Sequence, residues 1–193
     1  MVRHQKRKRV AERRGPFPTI ALVPNDCWSL DFMSDALATG RRFRTLGVVD
    51  TCTREALSIE VDTSLPGARV VQVLQRLIVQ RGHPAEIVLD NGPELISRVL
   101  DQWAAEHGIK LRFIEPGKPV QNAVMESFNG RFRDECLNSH WFTSLADARQ
   151  IIETWRLDYN QVRPHSSLNY ATPQDVYTQL TDSFATIDAA RFS

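Results

Sequence analysis

The 193-residue sequence lacks several features that would place it in a common class of protein. It has no stretch of about 18 or more apolar residues, so no segment is predicted to span a membrane. No apolar run follows the basic N-terminus, which therefore does not resemble a secretory signal. The three cysteines are scattered without a Cys-x-x-Cys pair, which argues against a structural zinc site and fits buried thiols in a reducing compartment. We therefore expect a cytoplasmic globular protein.

Positive charge is concentrated at the N-terminus. Residues 1–14 contain seven Lys or Arg against one acidic residue, whereas the remainder holds 17 basic and 22 acidic residues. A basic arm on a slightly acidic body is typical of a nucleic-acid-binding protein, although an isolated charge run alone is more simply a solvated tail. Three prolines and the absence of hydrophobic periodicity predict that residues 1–26 form a flexible arm or linker.

Hydrophobic periodicity from Trp28 onward predicts an α/β fold. Three consecutive strands of alternating pattern predict an antiparallel meander, and the later strands are separated by helices. This order indicates a mixed five-stranded sheet with helices on both faces. The strands are predicted near 28–33, 43–49, 56–61, 86–89 and 109–113, and the helices near 67–81, 94–106, 121–137 and from the capping box at 144–147.

Two aspartates occupy strand positions at which side chains converge. Asp31 lies among apolar residues of the first strand, and Asp90 ends the fourth strand just before Asn91 and Gly92. Functional groups of open α/β sheets gather beyond the carboxyl ends of strands, so an aspartate on one strand can meet one at the tip of its neighbour. Taken singly, such an aspartate is more often a turn or capping residue.

Glu126 lies on the helix that follows the loop over residues 115–119. At about 100° per residue, Phe128 and Phe132 fall roughly opposite Glu126 and are predicted to pack inward. Asn129 and Arg133 lie on the same face as Glu126. The helix is therefore expected to present one apolar face and one polar face that carries the glutamate.

Three carboxylates brought together repel one another, and a divalent cation removes that repulsion. Oxygen ligands without a Cys or His cluster favour Mg²⁺ or Mn²⁺ over zinc. Two such ions can activate an attacking hydroxyl and stabilise the leaving oxygen of a phosphodiester. Lys118 and Arg133 could then hold backbone phosphates.

Five ordered motifs resemble those of the retroviral-integrase-like transposases. The interval between Asp90 and Glu126 contains 35 residues, which is the spacing of that family. The last motif, with Pro173 beyond it, is similar to the tail signature of the IS-three insertion-sequence family. The motifs are Trp28–Phe32, Val88–Glu94, Pro116–Phe128, the basic residue Arg133 seven positions after Glu126, and Tyr159–Leu168.

The resemblance implies a ribonuclease-H-like fold. It also implies that Asp31, Asp90 and Glu126 form a catalytic triad that binds two divalent ions, Mg²⁺ or Mn²⁺. It implies DNA strand cleavage and strand transfer at insertion-sequence ends, through attack by a freed 3′-hydroxyl without a covalent protein–DNA intermediate. It also implies a homo-oligomer in the active complex, associated with the nucleoid when bound to DNA. The residues expected to contact DNA are Lys118, Asn122, Asn129, Arg133 and Arg163.

The chain departs from the family pattern in two places. Ala123 stands where glycine usually follows Asn122, and we expect a mild stiffening of the helix start. Only the basic arm precedes Trp28, where family members carry helix-turn-helix modules. The expected organisation is therefore an arm over 1–26, a catalytic core with its helical signature over 27–178, and a tail over 179–193, with an upstream-frame helix-turn-helix protein as a partner.

Two other functions remain open from the sequence. One is a catalytically silent transposase fragment that binds DNA or a full-length partner, which the lack of recognition modules favours. The other is a host nuclease of the same fold, against which the Tyr159–Leu168 signature argues. Within that signature, His165 is equally consistent with a contact to DNA and with a structural role at a helix end.

Overall fold

The computed structural model describes residues 21–92, 94–115 and 119–191, and side chains up to 115 and over 121–183 within those ranges. The basic residues 1–14 and Lys118 lie outside them. Short 3₁₀ turns occur at Pro119–Asn122 and Ser166–Leu168, and a π-helical turn at Arg133–Leu137. The regular elements are β1 (Cys27–Ala36), β2 (Arg42–Asp50), β3 (Ala56–Asp62), α1 (Gly67–Arg81), β4 (Glu86–Leu89), α2 (Arg98–Glu106), β5 (Lys110–Phe113), α3 (Ala123–Phe132), α4 (Leu145–Gln161) and α5 (Pro173–Arg191).

The five strands form one mixed sheet in the order β3-β2-β1-β4-β5. The hairpins β1/β2 and β2/β3 are antiparallel, whereas β1/β4 and β4/β5 are parallel. The parallel pairs follow from the helical crossovers α1 and α2, because a parallel neighbour cannot be reached by a tight turn. The predicted mixed sheet, with its meander followed by alternating helices and strands, is confirmed.

Two hydrophobic cores lie on opposite faces of the sheet. One core packs α1 and α2 against residues such as Trp28 and Leu30 of β1. The other packs α3 and α4 against the opposite face, with Phe128 and Trp155 at its centre. The prediction of helices on both faces is therefore confirmed. Among the helices of the described ranges, none is both long enough and apolar enough to cross a membrane.

The boundaries of two predicted helices are corrected by the structure. The helix predicted from residue 94 begins at Arg98, because the Ser97 hydroxyl accepts a hydrogen bond from the Leu100 N–H and caps it there. The helix predicted over 121–137 consists of a 3₁₀ turn, α3 and a π-helical turn. The predicted end of the core at residue 178 falls inside α5, which continues to Arg191.

Asn25, which lies inside the predicted arm over 1–26, forms hydrogen bonds to three regular elements. The backbone N–H of Asn25 donates to Asp50 at 2.7 Å, and the Asn25 side chain donates to the Arg81 carbonyl oxygen at 2.7 Å. The indole N–H of Trp28 donates to Asn25 at 3.0 Å. Residue 25 is therefore fixed to β1, β2 and the end of α1.

A side chain from α4 pairs with the backbone of β3, which is an edge strand of the sheet. Asn160 is buried, and its amide oxygen accepts from the Ala56 N–H at 2.8 Å while its amide nitrogen donates to the Ala56 carbonyl oxygen at 3.0 Å. The side-chain amide thus replaces one residue of a missing neighbouring strand. This pairing gives a structural role to the asparagine of the Tyr159–Leu168 signature.

Candidate active site

The two predicted aspartates lie side by side where the parallel pairing of two neighbouring strands ends, with Asp31 inside β1 and Asp90 directly after β4. The pairing of β1 with β4 ends at Leu30 and Leu89, so Asp31 and Asp90 are the next residues on the two strands. Neighbouring strands lie about 4.8 Å apart, which places the two backbones in direct proximity. Asp90 is oriented by its own turn, since its Oδ1 accepts from the Gly92 N–H at 2.9 Å.

Helix α3 brings its polar face onto Asp31. The Asn129 side-chain amide donates to Asp31 Oδ2 at 2.7 Å, while Met125 and Phe128 are buried in the core beneath. Glu126 is exposed and lies three residues before Asn129, on the same helical face. The predicted division of this helix into an apolar and a polar face is confirmed, and the polar face is directed toward Asp31.

The Asp31 carboxyl group has a raised pKa. Its pKa is raised to about 6, chiefly by burial and also by the negative charges of Asp90 and Glu126. Two hydrogen bonds oppose the rise: the Phe32 N–H donates to Oδ1 at 2.7 Å and Asn129 donates to Oδ2. Burial is the main cause of the raised pKa and the two neighbouring carboxylates add to it, so positive charge would be favourable beside Asp31.

The chemistry of the donor set fits a hard divalent cation, because Asp31, Asp90 and Glu126 all supply carboxylate oxygens. As they stand, no three Asp, Glu, His or Cys side chains of the described ranges are close enough together to hold a metal ion. The structure therefore brings Asp31, Asp90 and Glu126 to one face of the sheet without closing them into a ligand set. Asp90 acts on the pKa of Asp31 more strongly than Glu126 does.

The residues expected to contact DNA have different surroundings. Arg133 binds Asp35 at 3.2 Å and the Ser34 carbonyl oxygen at 3.1 Å, at the C-terminal end of β1. Asn122 precedes α3 and is buried, and its Oδ1 has no hydrogen-bond partner in the described part of the chain. Asn129 lies at Asp31, as described above.

Arg163 is neutralised by neighbouring acids. Its guanidinium pairs with Glu135 and Asp158 and lies 5.8 Å from the centre of the Trp155 ring. It therefore joins α4 to the π-helical turn that follows α3. Its assignment to DNA stays a prediction, as do those of Asn122, Asn129 and Arg133.

Sequence comparison gives two overlapping matches that together cover residues 22–173. The "Integrase core domain" profiles match residues 22–119 and 107–173. The chain belongs to the integrase core domain family. The family resemblance carried by the five sequence motifs is thereby confirmed.

Relatives of this integrase core occur in insertion elements. An uncharacterized 31.7 kDa protein of insertion element IS407 from Burkholderia multivorans is 54% identical over 79% of this chain and 55% of its own length. An uncharacterized 39.2 kDa protein of IS476 from Xanthomonas euvesicatoria is 55% identical over 78% of this chain and 44% of its own length. A putative transposase InsD of IS2E from Escherichia coli K12 is 26% identical over 80% of this chain and 74% of its own. The chain thus spans about half the length of the first two relatives.

Solved structures share the fold. A chain of the simian T-cell lymphotropic virus intasome, in complex with a PP2A regulatory subunit, aligns with a TM-score of 0.71 at 17% identity, covering 88% of this chain and 61% of the other. The HTLV-2 integrase catalytic core domain, solved in complex with magnesium, aligns with a TM-score of 0.65 at 19% identity, covering 81% and 98%. The integrase core described here therefore has the expected ribonuclease-H-like fold.

One contact beside the aspartates was not foreseen from the sequence. Arg44 of β2 pairs with Glu94 and lies 4.5 Å from the centre of the Phe32 ring. The pair connects β2 to the segment that follows Asp90, and the guanidinium lowers the pKa of Glu94 through its hydrogen bond. Glu94 belongs to the second motif, but its partner lies 50 positions earlier and has no local signal.

Proposed function

We propose that this chain is the catalytic core of an insertion-sequence transposase, which cleaves DNA strands at the ends of the element and joins them to target DNA. The observation that best supports the proposal is the strand pairing that brings Asp31 next to Asp90, together with the contact that α3, the helix of Glu126, makes with Asp31 through Asn129. The membership of the integrase core family and the insertion-element relatives support the same reaction.

In this proposal Asp31, Asp90 and Glu126 hold Mg²⁺ or Mn²⁺, as two ions. When bound, the cations supply charge stabilisation for the attacking and leaving oxygens of a phosphodiester. Asn129 fixes one oxygen of Asp31, and the Gly92 N–H fixes one oxygen of Asp90. These bonds hold the two aspartates in place, and Glu126 would complete the ligand set when the cations are bound.

The proposed DNA contacts comprise the polar face of α3 and its flanks. Asn129 and Arg133 lie on that face next to β1, where a bound strand would pass over the carboxylates. Asn122 offers a buried amide oxygen at the start of α3. Lys118 and the basic residues 1–14 are proposed to bind backbone phosphates from outside the described ranges.

The partners of the active complex belong to the same proposal. Both DNA ends must be held together for joining, so a homo-oligomer is expected. The HTLV-2 integrase core was solved in dimeric and trimeric forms. An upstream-frame helix-turn-helix protein would supply recognition of the ends, and the complex would act on the nucleoid in the cytoplasm.

Metal-dependent strand joining tests the proposal. The assay uses duplex oligonucleotides from the DNA that flanks the reading frame, with Mg²⁺ or Mn²⁺ and a labelled target duplex. We expect joined products from the wild-type chain and none from Glu126→Gln. Glu106→Gln, an exposed glutamate at the end of α2, is the matched control and should retain activity.

The alternatives give different products in the same assay. Binding without cleavage or joining, in either metal, would indicate a silent fragment. Cleavage of unrelated duplexes without joining would indicate a nuclease. Joining by the Glu126→Gln variant would contradict the proposed triad.

A further inference from the structure

A polar cavity lies beside α3, away from the carboxylates. Its volume is about 190 Å³, and it opens between α3, the turn that joins β2 to β3, and the segment after α4. We call it the arginine cavity. Its walls include two arginines, two serines and one histidine, namely Arg54, Arg131, Ser127, Ser167 and His165.

The arginine cavity occupies a separate flank of α3. Ala123, Ser127 and Arg131 line it and are spaced four residues apart, so they form one stripe along the helix. At 100° per residue this stripe lies about 60–140° round the helix from Glu126, on the side away from Asn129. A ligand in the cavity would therefore lie beside the proposed active site without touching it.

The cavity carries positive charge that has no acidic partner among the residues that the structure describes. Arg54 and Arg131 form no ion pair with an acidic side chain of the described ranges. Burial raises the pKa of Tyr159 to about 12, and the positive charges of Arg131 and Arg54 act in the opposite direction. Nine other arginines of the described ranges are paired with acids: Arg44, Arg69, Arg76, Arg81, Arg112, Arg133, Arg149, Arg156 and Arg163.

His165 holds Arg131 at the cavity wall. It is buried, its Nδ1 accepts from Arg131 Nη1 at 3.3 Å, and its Nε2 lies 3.4 Å from the Tyr159 carbonyl oxygen. Because a guanidinium can only donate, Nδ1 must be unprotonated, and the ring hydrogen sits on Nε2 and points to the carbonyl. Burial lowers the pKa of His165, and Arg131 and Arg163 lower it further, which keeps the imidazole neutral. His165 is thus a positioning residue for Arg131.

We infer that the arginine cavity receives a phosphate group of the DNA backbone, an inference that rests on the proposed function. Two guanidiniums without an acidic partner in the described ranges, together with two serine hydroxyls, supply donors suited to phosphate oxygens, and the described lining includes no acidic residue. Arg131 lies five residues after Glu126, about 7.5 Å along the helix. That distance corresponds to about two nucleotide steps of duplex rise, so the cavity would hold a phosphate near the reacting one.

Equilibrium DNA binding by the full chain tests the inference. Fluorescence anisotropy with a 20-base-pair duplex is followed over a series of salt concentrations, without divalent metal. The double variant Arg54→Gln/Arg131→Gln should bind roughly tenfold or more weakly at low salt, because two charge-assisted contacts are lost. The slope of log K against log salt should become shallower by about 0.9 for the lost phosphate contact.

A matched variant controls for the general loss of charge. Arg76→Gln removes a charge from α1, on the other face of the sheet, and leaves Glu60 paired with Arg69. It should change affinity and salt slope far less than the double variant does. The single variants Arg54→Gln and Arg131→Gln should fall between, and a thermal melt of each verifies the fold.

The outcomes separate this inference from the proposed function. If the duplex binds but the double variant behaves like Arg76→Gln, the arginine cavity is not a phosphate site and the proposed function stands. If the wild-type chain binds no duplex, both fail. If inorganic phosphate protects the wild type in a thermal melt but not the double variant, while no duplex binds, the cavity is a small-anion site and its assignment to DNA is overturned.

Discussion

Replacing Asp31 by asparagine should stabilise the metal-free protein while it abolishes strand chemistry. The pKa of Asp31 is raised from 3.8 to about 6, so the folded structure disfavours the ionised carboxylate relative to the unfolded chain. At about 1.36 kcal/mol per pKa unit this corresponds to at most about 3 kcal/mol, and to about 1–2 kcal/mol after allowance for solvent screening. Asparagine removes the charge at nearly constant size, so the free energy of unfolding should rise by that amount.

The hydrogen bonds of Asp31 do not cancel this gain. Oδ1 accepts from the Phe32 N–H and Oδ2 accepts from Asn129, so an asparagine at position 31 can keep the first bond through its oxygen. Its amide nitrogen then faces Asn129, whose own amide can turn over and present its oxygen. The pair is preserved with donor and acceptor exchanged.

The sign of the pH dependence follows from the direction of the shift. Because the pKa of Asp31 is higher in the folded chain than in the unfolded chain, the folded state binds the additional proton between about pH 4 and 6. Stability should therefore fall as the pH rises through this window, and this contribution should be constant above about pH 7. The Asp31→Asn variant should lack this fall.

Urea denaturation at pH 8 with a chelator measures the difference between the two proteins. Asp35→Asn is the control, because Asp35 pairs with Arg133 and its loss should not stabilise the fold. Mg²⁺ at ten times its dissociation constant should stabilise the wild type by about 1.4 kcal/mol and leave Asp31→Asn nearly unchanged. A variant no more stable than the wild type in chelator, or equal stabilisation of both by Mg²⁺, would refute the reasoning.

Three further substitutions test how α3 and α4 are held on the sheet, each by urea denaturation. Gly47→Ala should cost about 1–3 kcal/mol, because its Cβ would lie 2.6 Å from Cε of the buried Met125; unchanged stability would contradict this packing. Gly130→Ala has open space around the new Cβ and should instead stabilise the chain by about 0.5–1 kcal/mol, so a loss there would show a missed contact. Asn160→Ala should cost about 2–3 kcal/mol, because it removes both hydrogen bonds to Ala56; a neutral effect would mean that water replaces them.

Periodicity was sufficient to predict the sheet and the faces of its helices, because burial follows directly from the spacing of apolar residues. Phe128 and Phe132 are buried as the 3.6-residue repeat requires. The helix ends were harder, because they depend on single capping bonds. Ser97 delays the start of α2, although the apolar pattern alone is consistent with a helix from residue 94.

The proximity of Asp31 and Asp90 was predictable only in outline. A sequence can place Asp31 within one strand and Asp90 at the end of another, but the register of a parallel pair depends on packing between distant segments. Because Leu30 of β1 is paired with Leu89 of β4, the two acids that follow them are adjacent. A shift of one residue would have turned one of them to the opposite face of the sheet.

Charge pairing was not predictable, and it separates two arginines that look alike in the sequence. Arg163 belongs to the tail signature and was expected to contact DNA, yet Glu135 and Asp158 neutralise it. Arg131 was not selected, yet it has no acidic partner in the described part of the chain and faces a cavity. Whether an arginine is available to phosphate depends on neighbours that a linear pattern does not reveal.

The tail signature Tyr159–Leu168 is best explained as the support of α3. The Tyr159 ring packs edge-on against Phe128 at 5.3 Å, Asn160 secures α4 to β3, and His165 directs Arg131. The Tyr159 and His165 contacts hold α3 to α4 and to the segment after it, and Asn160 in turn holds α4 to the sheet. If Asp31, Asp90 and Glu126 bind metal as proposed, their positions must be held within fractions of an ångström, and a loosened support would impair the site even with all three acids intact. A signature remote from the carboxylates in sequence can therefore be required by the same chemistry.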